Sequence, residues 1–149
     1  MASLLIGTAL AQTSSDQDEQ AIRELIVDFT NTWNQHDAHA FAGTFTEDAD
    51  FTNVLGDSAQ GRQAVEDLHV PMFAARFRKS HLTADYVKIR FLSPVIASAD
   101  IHWAMTGATE ADGTPIPFRK GLLNWVVTRH GDRWLIAVMH NQEFTPQKQ

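Results

Sequence analysis

From Phe118 to Phe144 the chain reads FRKGLLNWVVTRHGDRWLIAVMHNQEF. Two apolar runs rich in Val, Ile, Leu and Trp flank His130-Gly131-Asp132, a tight-turn signal, so the segment is predicted to be a β-hairpin. The same period of two extends upstream. HLTADYVKIRFL (81–92) and VIASADIHWAMTGAT (95–109) read as two more strands, broken by Ser93-Pro94 and by Asp112-Gly113-Thr114-Pro115. Four successive strands joined by short breaks make an antiparallel sheet, and such a sheet must bury one apolar face against something.

That something precedes Ser80, where the period is helical. In SSDQDEQAIRELIVDFTNTWNQHD, Ser15 and Asp16 are cap candidates, and Ile22, Leu25, Ile26, Phe29 and Trp33 fall on one helical face. DAHAFAGTF is a shorter helix with Asp37 as its cap, and Phe41 and Phe45 are four apart. EDADFTNVLG (47–56) is a strand running into a turn, with Ala49, Phe51 and Asn53 on one side; Gly56 to Gly61 is a turn-rich loop. GRQAVEDLHVPMFAARF then places Val65, Leu68, Met72 and Phe73 on one stripe of a third helix, which Pro71 kinks or ends. The expected architecture is α+β: a cone-shaped, curved antiparallel sheet wrapped around three N-terminal helices.

The 149 residues suffice for one domain with a real core, assigned to 16–146. A formal charge of −6, with Lys and Arg scattered, argues against a surface that neutralises phosphates, so no nucleic-acid partner is expected. The absence of Cys excludes disulfides, thiolate metal sites and a Cys nucleophile. Residues 1–15 form a separate apolar segment. Its Ala9-Leu10-Ala11 has the small residues of a signal-peptide cleavage site, although no Lys or Arg precedes the run. A secreted or periplasmic destination is expected from that triplet, a cytoplasmic one otherwise, and the run is too short to span a membrane.

Candidate site residues are mostly amides. An interior Asn53 needs a partner, since an unpaired buried amide costs about 1–3 kcal/mol, and that partner is either a ligand or nearby backbone. Strand alternation groups Leu122, Asn124 and Val126, and likewise Leu135, Ala137, Met139 and Asn141. If those faces are concave, Asn53, Asn124 and Asn141 converge on one cavity, as ligand contacts or as partners for bent backbone. Trp134, Ile136, Val138 and His140 then lie on the outer face, where a second copy would cover them. Ile101, Trp103 and Met105 read as cavity wall or core, and Arg119-Lys120 as solvated. His69 falls on the apolar stripe of the third helix, either as a core residue or as a cavity residue with a useful pKa. His36 and His39 lack further metal ligands, and no phosphate loop or dinucleotide fingerprint occurs, so neither metal nor cofactor is expected.

The order of elements, together with WNQHDAHAFAGTFTEDADF, NVLG, GRQAVEDLH and GLLNWVVTRHGDRWLIAVMHNQ, resembles the SnoaL-like (nuclear transport factor 2-like) superfamily. DFTNVLG, the His of DLH and the closing HN resemble its SgcJ/EcaC branch. The resemblance implies a ketosteroid-isomerase-like cone. It also aligns Asn53, Phe29 and Asn124 with that enzyme's Asp base, Tyr and protonated Asp, so the chain should not be a typical ketosteroid isomerase. The expected function is binding of a small hydrophobic or polyketide-like molecule by a homodimer, with Asn53, Asn124, Asn141, Phe29 and Trp33 as contacts. The alternatives are a cyclase, isomerase or dehydratase using His69 as catalytic residue, and a dimerising module with a vestigial pocket.

Overall fold

A computed structural model describes the backbone of residues 3–145 and the side chains of residues 15–145. The apolar run with its Ala9-Leu10-Ala11 triplet therefore lies outside the described side chains, and the expected domain limit at residue 146 lies outside the described backbone. Among the described residues no helix is long and apolar enough to cross a membrane.

Among the described residues three helices and six strands follow in the order α1 (Ser3–Asn34), α2 (Ala38–Ala42), β1 (Phe45–Thr52), β2 (Ser58–Gln60), α3 (Arg62–Ala74), β3 (His81–Ser93), β4 (Ile96–Thr106), β5 (Arg119–His130) and β6 (Arg133–Glu143). The strands form one curved, unclosed sheet in the order β2-β1-β6-β5-β4-β3, with the helices against its concave face. The fold is α+β, as the periodicities imply. Three local expectations change. Ser15 and Asp16 do not start α1, which runs through them from Ser3. Pro71 does not end α3 either, which continues to Ala74. A proline inside a helix costs about 3 kcal/mol, but here it falls in the last turns, with His69 and Phe73 buried on either side of it. Ser58–Gln60, read as loop, pairs with β1 as a short edge strand, Asp50 opposite Gln60.

The sheet is not wholly antiparallel. β1 joins β6 in parallel, with Phe51 opposite Met139, and its register shifts between Phe45 and Asp50. Arg62 steadies that irregular stretch by donating from Nε and Nη2 to the Phe45 carbonyl at 2.9 and 2.7 Å.

The expected stripe of α1 is the buried one: Ile22, Leu25, Ile26, Phe29 and Trp33 all enter the core. Hydrogen bonds pin the helix at its middle and at its C-terminal end. Asp18 accepts the indole N–H of Trp134 at 3.0 Å and pairs with Arg129 at 3.3 Å, tying α1 to the β5–β6 hairpin. Asn34 exchanges two hydrogen bonds with the Leu82 backbone, at 2.9 and 2.7 Å, and so fixes α1 to the start of β3. Asp37 caps α2 by accepting the Ala40 N–H at 2.9 Å.

Strand alternation also needs correction. On β5 the buried set is Leu123, Trp125 and Val127, and Leu122, Asn124 and Val126 face the convex side. On β6 a bulge breaks the alternation, because Val126 pairs with Val138 while Val127 pairs with Ile136. Ala137 is the extra residue. Trp134 and Ile136 before it and Met139 after it therefore all turn inward, although they differ in parity.

Candidate functional site

Between the helices and the concave face of the sheet lies a cavity of about 70 Å³. Its walls come from Phe29 and Trp33 of α1, the end of β1 with its turn, α3 and the residues after it, and the concave face of β3 to β6. Leu55, 71% exposed, marks the mouth. Ile101 is core and Trp103 and Met105 are cavity wall, within what the sequence suggested.

His69 lies deepest among the polar groups, only 1% exposed. Its ring is enclosed by Trp33, Phe41, Phe51 and Phe73, with centroids 5.9, 4.5, 5.2 and 5.5 Å away. The helix that carries it also sets its tautomer. Nδ1 lies 2.7 Å from the Val65 carbonyl, which can only accept, so the neutral ring holds its proton on Nδ1 and its lone pair on Nε2. Burial among aromatic rings lowers the pKa to about 4, against a smaller opposing effect of the Val65 hydrogen bond. At neutral pH this is an uncharged imidazole on the cavity wall.

Asn53 lines the cavity, but its hydrogen bonds are used locally. Its Oδ1 accepts from the N–H groups of Leu55 and Asp57 at 2.9 and 3.0 Å, and its Nδ2 donates to the Asp57 carboxylate at 3.0 Å. The amide is the brace of an Asx turn. Asn141 also lines the cavity and accepts the indole N–H of Trp103 at 2.8 Å. Asn124 does not reach it. It faces the convex side and donates to Asp100 at 2.6 Å, because Leu123, not Asn124, is the cross-strand partner of Asn141. The structure thus brings together five of the six expected residues, Phe29, Trp33, Asn53, His69 and Asn141, and leaves out Asn124.

Two arginines on the wall were missed. Arg119, expected in solvent, is 8% exposed; its Nε and Nη2 hold Glu143 at 2.7 and 2.8 Å, and its guanidinium lies 5.7 Å over the Trp103 ring. That hydrogen bond is the main reason the Glu143 pKa is lowered. Strand alternation carried the signal, since Arg119 is in phase with Leu123 and Trp125. Arg76 follows α3 at a helical seven-residue step from His69 and is half-buried. Its Nε is fully enclosed without a hydrogen-bond partner among the described residues. Among those residues no cluster of three or more His, Asp or Glu is arranged to hold a metal.

Residues 15–140 match the model of the SnoaL-like domain, and the chain belongs to that family. Among solved structures, the chain is similar to an uncharacterised protein with a cystatin-like fold from Caulobacter vibrioides (23% identity, 86% of this chain and 90% of that one, TM-score 0.79). A putative scytalone dehydratase from Novosphingobium aromaticivorans is also similar (16% identity, 90% and 89%, TM-score 0.77), as is a hexachlorocyclohexane dehydrochlorinase (LinA) type 2 (14% identity, 92% and 93%, TM-score 0.81). At these identities the likeness is one of fold. No curated protein matches the sequence.

Proposed function

We propose that the chain binds a small, largely apolar organic molecule in the cavity closed by His69 and bordered by Asn141 and Arg76. The observation that carries this reading is a mostly apolar wall with a few convergent polar groups, the composition of a ligand pocket. Its enclosed volume of about 70 Å³ favours a ligand smaller than a fused polyketide. A dry cavity of about 150 Å³ takes benzene, so here only part of such a ring fits inside, and the rest of the ligand occupies the mouth. The test is an NMR titration of the full chain with indole. Shifts at the His69 ring and the Asn141 amide are expected; their absence at millimolar indole overturns the reading.

A second reading is supported by His69 alone. A neutral imidazole whose lone pair is on Nε2 is free to accept a proton at neutral pH, as an isomerase, cyclase or dehydratase type of enzyme requires, and its pKa of about 4 makes it a weak base. The names of the dehydratase and dehydrochlorinase among its fold relatives agree with eliminations of this kind. His69→Gln separates the two readings, since the enzyme reading expects it to abolish any turnover while the binding reading expects only a change in affinity. Within the family, DFTNVLG, His69 and the closing His140-Asn141 favour the SgcJ/EcaC branch.

A second copy of the chain is the proposed partner for the convex face. The Tyr86 ring lies tilted against His102 at 4.9 Å, and His102 lies 5.7 Å from Phe144, in a line crossing the outside of the sheet. Tyr86 and Phe144 are 51% and 39% exposed, an unusual placement for aromatic side chains in a row.

A further inference from the structure

The charges on the cavity wall are at odds with the rest of the molecule. The chain has a formal charge of −6, yet the formally charged residues of the wall are Arg76 and Arg119, with no Asp or Glu among them. The two arginines differ in what they do. Arg119 is already held by both carboxylate oxygens of Glu143, in the fork geometry that satisfies a guanidinium. Glu143 therefore cancels one of the two charges. Arg76 feels Glu143 only at longer range, and the ion pairs among the described residues do not include it.

Arg76 is also incompletely hydrogen-bonded. Its Nε is sealed from water and has no acceptor among the described residues, while its guanidinium carbon lies 5.6 Å from the centre of the Phe77 ring. Cation–π attraction offsets part of the lost hydration but supplies no acceptor for the enclosed N–H. The sealed Nε is out of a ligand's reach, so a bound carboxylate would be held in the two-pronged manner that arginine favours over lysine by the outer Nη groups of the guanidinium, which lines the cavity and takes part in no ion pair among the described residues. Asn141, like Arg76, is half-buried, while His69 is almost wholly enclosed. A ligand with its apolar body toward His69 and its acidic end beside Arg76 matches that gradient.

We infer that the ligand of this cavity is a small organic anion, an apolar body carrying a carboxylate, and that Arg76 holds the carboxylate. The inference rests on the cavity being a binding site and specifies the class of molecule it takes. Asn141 has its Oδ1 occupied by Trp103 and offers its amide N–H as a further donor. His69, being neutral, adds no charge of its own at the far end.

The test compares phenylacetate with phenylacetamide, which share shape and differ in charge. Trp33 and Trp103 stand in the wall, so tryptophan fluorescence of the full chain reports either ligand. Phenylacetate should bind at least roughly tenfold tighter than phenylacetamide, a preference that weakens with added salt. Arg76→Gln should remove the preference, lowering the affinity for phenylacetate to that for phenylacetamide; Arg76→Lys should keep part of it. Equal affinity of the unaltered protein for acid and amide overturns the inference and leaves small-molecule binding standing. A preference that survives intact in Arg76→Gln overturns the role of Arg76. Binding of neither compound overturns both this inference and the binding reading beneath it. Should Arg76→Gln fail to fold, the acid-to-amide ratio in the unaltered protein and in Arg76→Lys still decides.

Discussion

Trp103 donates its indole N–H to Oδ1 of Asn141 at 2.8 Å, a bond that joins β4 to β6 across the intervening β5. It is possible because β5 presents Gly121 between them. Trp103 pairs with Gly121, and a Cβ at that position would lie 2.6 Å from Cζ2 of the indole. One hydrogen bond and one missing side chain thus hold a wall of the cavity in place.

Removing the acceptor should therefore be costly. Asn141→Leu leaves a half-enclosed indole N–H without its partner, for a loss of about 1–3 kcal/mol in urea denaturation. Asn141→Asp keeps the oxygen and should lose less. Equal stability of Asn141→Leu and the unaltered protein would show that the bond contributes nothing.

Gly121→Ala tests the same wall from the other side. The added methyl would overlap the backbone carbonyl oxygen of Gln142 and lie 2.6 Å from the indole, so the β6 backbone must move as well as the ring, at about 3 kcal/mol or more for overpacking. A lowered Tm with altered tryptophan emission is expected, and an unchanged Tm contradicts the packing described.

Asn53 is predicted to matter for the turn and not for steroid chemistry. Asn53→Leu deprives the N–H groups of Leu55 and Asp57 of their acceptor. These groups are near solvent, so the loss should fall at the low end, about 1 kcal/mol. Neither the unaltered protein nor Asn53→Asp should isomerise a Δ5-3-ketosteroid, because Phe29 offers no hydroxyl and Asn124 faces away from the cavity. Steady turnover in a spectrophotometric assay would refute this.

The pH dependence follows from His69. Its folded pKa, lowered to about 4 chiefly by burial, lies below the ordinary value of 6.5, so between those values the unfolded chain binds a proton that the folded one does not. Its contribution is fully present above pH 6.5 and is lost as pH falls toward 4, about 3 kcal/mol in all. Glu143, whose pKa is lowered mainly by its hydrogen bond to Arg119, acts in the same direction at lower pH. Urea midpoints measured across this range should fall with pH, and His69→Leu should flatten the upper part of the curve. A slope unchanged by that substitution would remove His69 as its source.

Light scattering should report about twice the 16.6 kDa chain mass, with Tyr86→Glu reducing it to one. A monomer at micromolar concentration would leave the convex aromatic row without its proposed partner.

Periodicity was enough to determine the elements other than β2 and the start of α1, the stripe of α1 and the α+β class, because burial of one face imposes a period that any stretch of chain displays by itself. His69 could be picked out for the same reason, as a polar residue on an apolar stripe. What local pattern could not decide was which face of each strand is concave and where alternation breaks. Asn124 and Asn141 each fall in phase with apolar neighbours on their own strands, with nothing in the sequence to separate them, yet hairpin register sets Leu123 opposite Asn141 and turns Asn124 outward. The bulge at Ala137 likewise serves the curvature of the whole sheet and has no local mark such as a glycine. The burial of Arg119 depends on Glu143, 24 residues away, since a guanidinium enters an interior only with a partner that the fold delivers. Asn53 belongs with these. Whether its amide met a ligand or its own turn depended on where the Asp57 carboxylate came to rest, a matter of three-dimensional placement that residue types alone do not carry.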